Sequence, residues 1–139
     1  MDSAEDYLRV ECEVSGDGRS VCLRLDGEFD LGTAPLVEDA LSPALDPRCA
    51  RLVVDLADVS FMDSSGLRVL VVARNALDER GAEMVIADIN DQLRRLFEIS
   101  GLTSSFTFEP EHARSSYSDQ PLAGRTCFRS ASRRTALGD

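Results

Sequence analysis

The alternation of apolar and polar residues changes its period several times along the chain, and each change predicts an element. Residues 8–14 and 21–25 alternate apolar and polar positions, and the turn-forming segment 15–18 separates them. They predict two strands of an antiparallel hairpin with a long loop. Residues 52–56 are almost continuously apolar, which is typical of a strand covered on both faces. We expect that strand to be central.

Apolar residues at helical spacing predict helices between the later strands. Thr33 is placed to cap a helix that has Pro35 in its first turn and that Pro43 ends or kinks. Residues 65–80 carry an apolar stripe that stops at Gly81, and glycine is the usual residue after a helix end.

The remaining pattern completes an α/β arrangement. Residues 83–87 predict a strand, residues 91–100 a helix, and residues 106–108 a short last strand. Because strands alternate with helices after an opening antiparallel hairpin, we expect an α/β fold with a mixed sheet of about five strands and helices packed on it.

The chain has 139 residues, the length of one domain. Apolar periodicity fades after Pro110, where Ser, Arg, Gly and Pro dominate. We therefore expect a folded domain over residues 1–110 and a disordered tail over residues 111–139.

Charge and targeting patterns narrow the classes of partner. Residues 1–110 carry 10 Arg against 22 Asp and Glu, whereas residues 111–139 carry 5 Arg against 3 acidic residues. An acidic domain argues against nucleic acid and anionic membranes as partners. The N-terminus lacks the basic start and apolar run of a signal peptide, so we expect a cytoplasmic protein.

The four cysteines do not predict a metal site. Cys12, Cys22, Cys49 and Cys127 contain no C-x-x-C pair and no neighbouring histidine. The apolar alternation places Cys12 and Cys22 on opposite sides of the sheet, which argues against a disulfide between them. We expect all four to be thiols.

The most informative segment is Asp63-Ser64-Ser65-Gly66, between the central strand and the helix over residues 65–80. A helix start presents unpaired N–H groups and the positive end of the helix dipole, so a phosphate on a serine there is tolerated. The alternative is that Asp63, Ser64 or Ser65 only caps the helix.

A hydrolase is disfavoured, because a serine nucleophile needs a base and a group that orients the base. The single histidine, His112, lies in the expected tail. Met62 occupies the first glycine position of a G-x-S-x-G elbow around Ser64.

The segment Asp63-Ser64-Ser65-Gly66 resembles the phosphorylation site of anti-sigma factor antagonists, bacterial proteins of the STAS-domain family. Other segments are similar to the family in the same order between about Leu8 and Phe108. They are a glycine-acidic turn at residues 25–30, a strand entry at residues 81–85, and a last core helix with its glycine stop at residues 93–102.

The resemblance implies a regulatory protein that is not an enzyme and needs no cofactor. Unphosphorylated protein would bind an anti-sigma factor that is also a GHKL-type serine kinase, and so release a sigma factor. Phosphorylation of Ser64, with Ser65 as second candidate, would abolish binding, and a PP2C-type phosphatase would restore it. The expected partner-binding residues are Asp30, Asp63, Ser64, Ser65, Gly66 and Arg68.

Several alternatives stay open. The chain could be a STAS scaffold subunit of a larger sensory assembly, or a nucleotide-binding STAS module. The acidic residues Asp26, Glu28 and Asp30 form either a solvated turn or part of a docking loop. Arg68, four residues after Ser64, is either a solvated side chain or a partner for phosphate.

Overall fold

A mixed sheet of six strands carries three α-helices in the part of the chain that the structure, a computed structural model, describes: residues 7–109 and 126–132. The strands are β1 (Tyr7–Val14), β2 (Ser20–Phe29), β3 (Arg51–Met62), β4 (Glu83–Ile89), β5 (Thr107–Glu109) and β6 (Thr126–Ser132), and the helices are α1 (Ala34–Ala40), α2 (Ser64–Glu79) and α3 (Asp91–Ile99).

The strand order is β5-β4-β3-β2-β1-β6. The hairpin of β1 and β2 is antiparallel, as the alternating pattern predicts. The neighbours from β2 to β5 are parallel. β3 lies between β2 and β4, and residues 52–56 are all buried, which confirms the central position predicted from their apolar run.

β2 is longer than the sequence predicts. The glycine-acidic segment was expected as a turn over residues 25–30, but the strand continues to Phe29. Parallel pairing with β3 keeps the segment extended, and Phe29 lies opposite Met62 at the end of both strands. Gly27 has φ +126°, which a glycine tolerates at the irregular pairing there. The turn therefore begins at Asp30.

α1 begins where the sequence predicts, with Pro35 in its first turn, and it ends three residues before Pro43. Thr33 precedes the helix, but its hydroxyl makes no capping bond and instead donates to the carbonyl of Glu28 at 2.7 Å. The helix ends at Ala40, and Ser42–Leu45 follows as a 3₁₀ turn that contains Pro43. Thr33 thus occupies the predicted N-cap position, but its hydroxyl bonds to the end of β2 and not to the helix N–H groups.

One face of the sheet and the three helices share a core. Its largest fully buried side chains are Phe29, Phe97, Leu8, Leu23, Leu25, Leu52, Leu56, Leu70, Leu77, Ile86, Leu93 and Val10.

The reverse face of the sheet is more polar. Cys22, Val53 and Ala87 form a small buried cluster there, separate from the main core that contains Cys12. The predicted opposite orientation of Cys12 and Cys22 is confirmed. Asp55 is also buried on β3, with a carboxylate oxygen 3.6 Å from Nε of Arg24.

β6 corrects one expectation for the tail. Residues 126–132 were expected to be disordered, but they form a strand that pairs antiparallel with the outer edge of β1. Pairing at the edge of a sheet uses backbone N–H and C=O groups, which almost every residue carries. Such a strand needs no apolar alternation, so the sequence pattern does not predict it. The other residues of 111–139, including His112, lie outside the described residues.

Candidate functional site

The junction of β3 and α2 is built around the side chain of Asp63. Asp63 has an extended backbone, and its Oδ1 accepts hydrogen bonds from the N–H groups of Ser65 (2.9 Å) and Gly66 (3.2 Å). Two of the unpaired donors at the helix start are thereby satisfied. The predicted helix is confirmed, and it begins at Ser64, one residue before the predicted start. Of the three candidates for the cap, Asp63 is the residue that caps the helix.

The two serines differ in exposure. Ser64 is the first residue of α2 and is exposed, whereas Ser65 is half-buried and its N–H is bonded to Asp63. Neither hydroxyl makes a hydrogen bond with another described residue. The hydroxyl of Ser64 is therefore the more accessible acceptor for a modifying group.

Gly66 fixes the helix start against the end of β2. A Cβ atom at this position would lie 2.8 Å from the carbonyl oxygen of Phe29 and 2.8 Å from Cγ of Met62. The N–H of Asp63 also donates to the Phe29 carbonyl at 3.4 Å. The segment from Asp63 to Gly66 and the end of β2 are therefore in direct contact.

Asp30 follows directly on β2 and organises its own loop. Its side chain is only 6% exposed, and Oδ1 accepts hydrogen bonds from the N–H groups of Gly32 (3.0 Å) and Thr33 (3.2 Å). The structure thus brings the Asp30 loop beside Asp63. The carboxylate oxygen Oδ1 faces its own loop, which gives Asp30 a positioning role in this structure.

Arg68 lies one turn after Ser64 on α2. Its side chain is exposed and makes no ion pair within residues 8–109. On a helix, residues four apart are neighbours on one face. The guanidinium can therefore reach a group attached to Ser64.

Exposed apolar side chains flank the site, and sequence reasoning missed them. Leu31, next to Asp30, is 73% exposed, and Phe61, two residues before Asp63, is 45% exposed. β3 has one extra residue opposite the Gly27–Glu28 step of β2, and Phe61 follows it. Such a bulge re-aims the following side chain and cannot be read from one sequence. The available signal was a large apolar residue two positions before Asp63, at the end of the predicted central strand.

Further apolar side chains lie between Phe61 and α3. A cleft of about 220 Å³ lies between them and is lined by Phe61, Met62, Gln92, Leu93, Arg95, Leu96 and Ile99. One of its lining residues, Met62, directly precedes Asp63.

The described residues contain neither a metal-binding cluster nor a membrane-spanning helix. No group of three or more His, Cys, Asp or Glu side chains there could hold a metal ion. No helix among these residues is long and apolar enough to cross a membrane.

Comparison with known proteins identifies the family. The model of the STAS domain matches residues 11–115. The chain belongs to the STAS-domain family. Within this family, the anti-sigma-B factor antagonist of Listeria monocytogenes is 46% identical over 77 residues, which cover 55% of this chain and 68% of the relative.

Solved structures support the same grouping of this STAS domain. An anti-sigma factor antagonist from Mycobacterium paratuberculosis superimposes with a TM-score of 0.69 at 26% identity, covering 85% of this chain and 100% of the other.

The anti-sigma factor antagonist SpoIIAA shares the fold in two forms. The unphosphorylated form has a TM-score of 0.62 at 18% identity, covering 80% of this chain and 99% of SpoIIAA. The phosphorylated Bacillus form has a TM-score of 0.61 at 21% identity, covering 78% and 98%.

Proposed function

We propose that this protein is an anti-sigma factor antagonist that phosphorylation of Ser64 switches off. The observation that carries the proposal is the exposed Ser64 hydroxyl at the start of α2, beside a helix cap that Asp63 already supplies. The names of the relatives support the class of partner, since the matched proteins antagonise anti-sigma factors.

In the unphosphorylated state, the surface around Ser64 binds an anti-sigma factor. Leu31 and Phe61 supply exposed apolar area beside the serine, and apolar area buried on docking is the main favourable contribution to association. The anti-sigma factor then releases its sigma factor, and transcription starts.

Phosphorylation acts at the interface and not on the fold. A phosphate adds a charge of about −1.5 to −2 at neutral pH. At a helix N-terminus this charge is tolerated within the domain. On a docking surface that includes Leu31 and Phe61, the phosphate must lose its hydration when a partner docks, and nearby negative charge such as the Asp63 carboxylate repels it. Binding is lost while the domain stays folded.

The partners in this proposal are a GHKL-type serine kinase, which is the anti-sigma factor itself, and a PP2C-type phosphatase. The kinase transfers the γ-phosphoryl group of ATP to Oγ of Ser64, with loss of the hydroxyl proton and release of ADP. The phosphatase hydrolyses the phosphoserine and returns the hydroxyl. The protein works in the cytoplasm and supplies no catalytic group of its own.

The test uses the anti-sigma factor kinase that the full-length protein captures from cells of its source organism. Incubated with this kinase and labelled ATP, wild type and Ser65→Ala should incorporate label, and Ser64→Ala should not. Phosphopeptide mass spectrometry should place the phosphate on Ser64. Label retained in Ser64→Ala but lost in Ser65→Ala would overturn the assignment.

The same capture separates the alternatives. Recovery of a kinase that holds a sigma factor supports the proposal, and addition of the protein should release the sigma factor from that complex. Recovery of a multi-subunit particle without a sigma factor would favour the scaffold. Saturable binding of ATP or GTP to the isolated protein, without a captured kinase, would favour the nucleotide-binding module.

A further inference from the structure

Two cysteines from distant parts of the sequence are direct partners in the sheet. Cys12 of β1 lies opposite Cys127 of β6 in the antiparallel register. Directly opposed residues in such a pair have Cα atoms about 4.5–5.5 Å apart. Disulfide-bonded cysteines need Cα atoms about 4.4–6.8 Å apart. The register therefore meets the distance condition for a disulfide.

The other two cysteines lack this relation. Cys22 lies opposite Glu13 of β1, so it is on the other face of the sheet from Cys12. Burial raises the pKa of the Cys22 thiol from 9.0 to about 12, and burial also raises the pKa of the Cys49 thiol. Thiols that stay protonated react slowly with oxidants, because the thiolate is the nucleophile.

We propose that Cys12 and Cys127 form an intramolecular disulfide when the protein is exposed to hydrogen peroxide. One thiolate attacks the peroxide and becomes a sulfenic acid, while the peroxide is reduced to water. The second thiol then attacks the sulfenic sulfur, forms the S–S bond and releases water. In sum, two thiols and one hydrogen peroxide give one disulfide and two waters.

The position of β6 allows this reaction although Cys12 is only 2% exposed. β6 is an edge strand that pairs with β1 alone in the described sheet. Local separation of an edge strand costs less than global unfolding, and it gives the oxidant access to Cys12. Because reducing compartments keep thiols reduced, the bond is conditional on oxidant.

The disulfide fastens β6 to β1 and closes a loop that contains most of the chain. Closing a long loop restricts the unfolded state and so stabilises the fold. β6 lies three strands from β3, which leads into Ser64. The bond therefore fastens β6 at a distance from the segment Asp63 to Gly66, and under the proposed function an oxidised protein can still be phosphorylated on Ser64.

The experiment counts thiols in the full-length protein before and after hydrogen peroxide. Denaturing alkylation with N-ethylmaleimide should add four labels to the reduced monomer and two to the oxidised monomer, since the chain has four cysteines. Peptide mapping should find Cys12 linked to Cys127. The oxidised protein should melt about 5 °C or more higher than the reduced protein.

Matched variants separate this pair from the others. In Cys127→Ser, hydrogen peroxide should remove no pair of thiol labels and should leave the melting temperature unchanged. Cys12→Ala should give the same result. Cys22→Ser and Cys49→Ser should each still lose two thiols on oxidation. The proposal is overturned by four remaining thiols, by a link to Cys22 or Cys49, by sulfinic acid alone, or by disulfides formed only between two chains.

Discussion

Asp63 and Gly66 hold the start of α2 by two different physical means. Asp63 does so with a side chain that accepts two backbone N–H groups. Gly66 does so by lacking a side chain, which lets the helix approach the carbonyl of Phe29. The position of Ser64 depends on both.

Gly66→Ala should destabilise the protein by about 1–3 kcal/mol, because the new Cβ overlaps the Phe29 carbonyl and Met62. Helix propensity alone would give the opposite change in stability, because it favours alanine over glycine by about 1 kcal/mol. Urea unfolding followed by circular dichroism measures the difference.

Ser65→Ala is the control for this substitution. Ser65 is the adjacent residue, its hydroxyl bonds to no other described residue, and its N–H bond to Asp63 survives the change. We expect its free energy of unfolding to stay within about 0.5 kcal/mol of wild type. A Gly66→Ala protein as stable as Ser65→Ala would show that the helix start shifts freely.

Single residues also show how far the sequence predicts the site. The Asp63 cap was predictable as one of three candidates because its partners are two and three residues away. The partner of the Thr33 hydroxyl was not predictable, because this hydroxyl donates to the carbonyl of Glu28 at the end of a strand whose length depends on distant pairing. Local hydrogen bonds can be read from a sequence, whereas competing tertiary ones cannot.

At the scale of the element, the first two turns of α2 place Arg68 beside Ser64. A cation near a helix N-terminus is slightly unfavourable. Phosphate on Ser64 reverses this effect, because Arg68 then donates charge-assisted hydrogen bonds. Arg68→Ala should therefore cost the phosphorylated form about 0.5 kcal/mol more than the unmodified form.

Differential scanning calorimetry of both forms measures this difference, and Arg94→Ala is its matched control. Arg94 is an exposed arginine on α3, so the substitution removes the same charge from a helix other than the one that Ser64 begins. It should shift both forms equally. If Arg68→Ala also shifts both forms equally, Arg68 does not sense the phosphate.

Elements differ in how well their patterns predict them. α2, α3 and the hairpin have strong periods and appear within one or two residues of the predicted bounds, apart from the extended end of β2. β3 extends to Met62, past the apolar run that predicts it, because pairing with β2 keeps residues 57–62 extended. β6 has no apolar period, so only its pairing with β1 reveals it.

For the whole molecule, the proposed switch separates binding from folding. Ser64→Asp should lose the anti-sigma factor kinase while its thermal midpoint stays close to wild type. An acidic side chain at a helix start is neutral or stabilising by about 0.3–1 kcal/mol, whereas at the docking surface it is repelled. Isothermal titration calorimetry and thermal unfolding of the same sample measure both quantities.

Ser64→Ala serves as the uncharged comparison and should bind like unphosphorylated wild type. Binding of Ser64→Asp at wild-type affinity would contradict the charge mechanism. Unfolding of Ser64→Asp would contradict the claim that the helix start tolerates negative charge.

The pairing of β1 with β6 also brings the two outer ends of the described chain together. Tyr7, where β1 begins, lies directly opposite Ser132, where β6 ends. A short linker could therefore join these ends, and new termini could be opened in the exposed loop at residues 15–19. Such a circular permutant would keep every strand neighbour while starting the chain at β2. The central sheet and the serine segment would then be synthesised before the strand that now comes first.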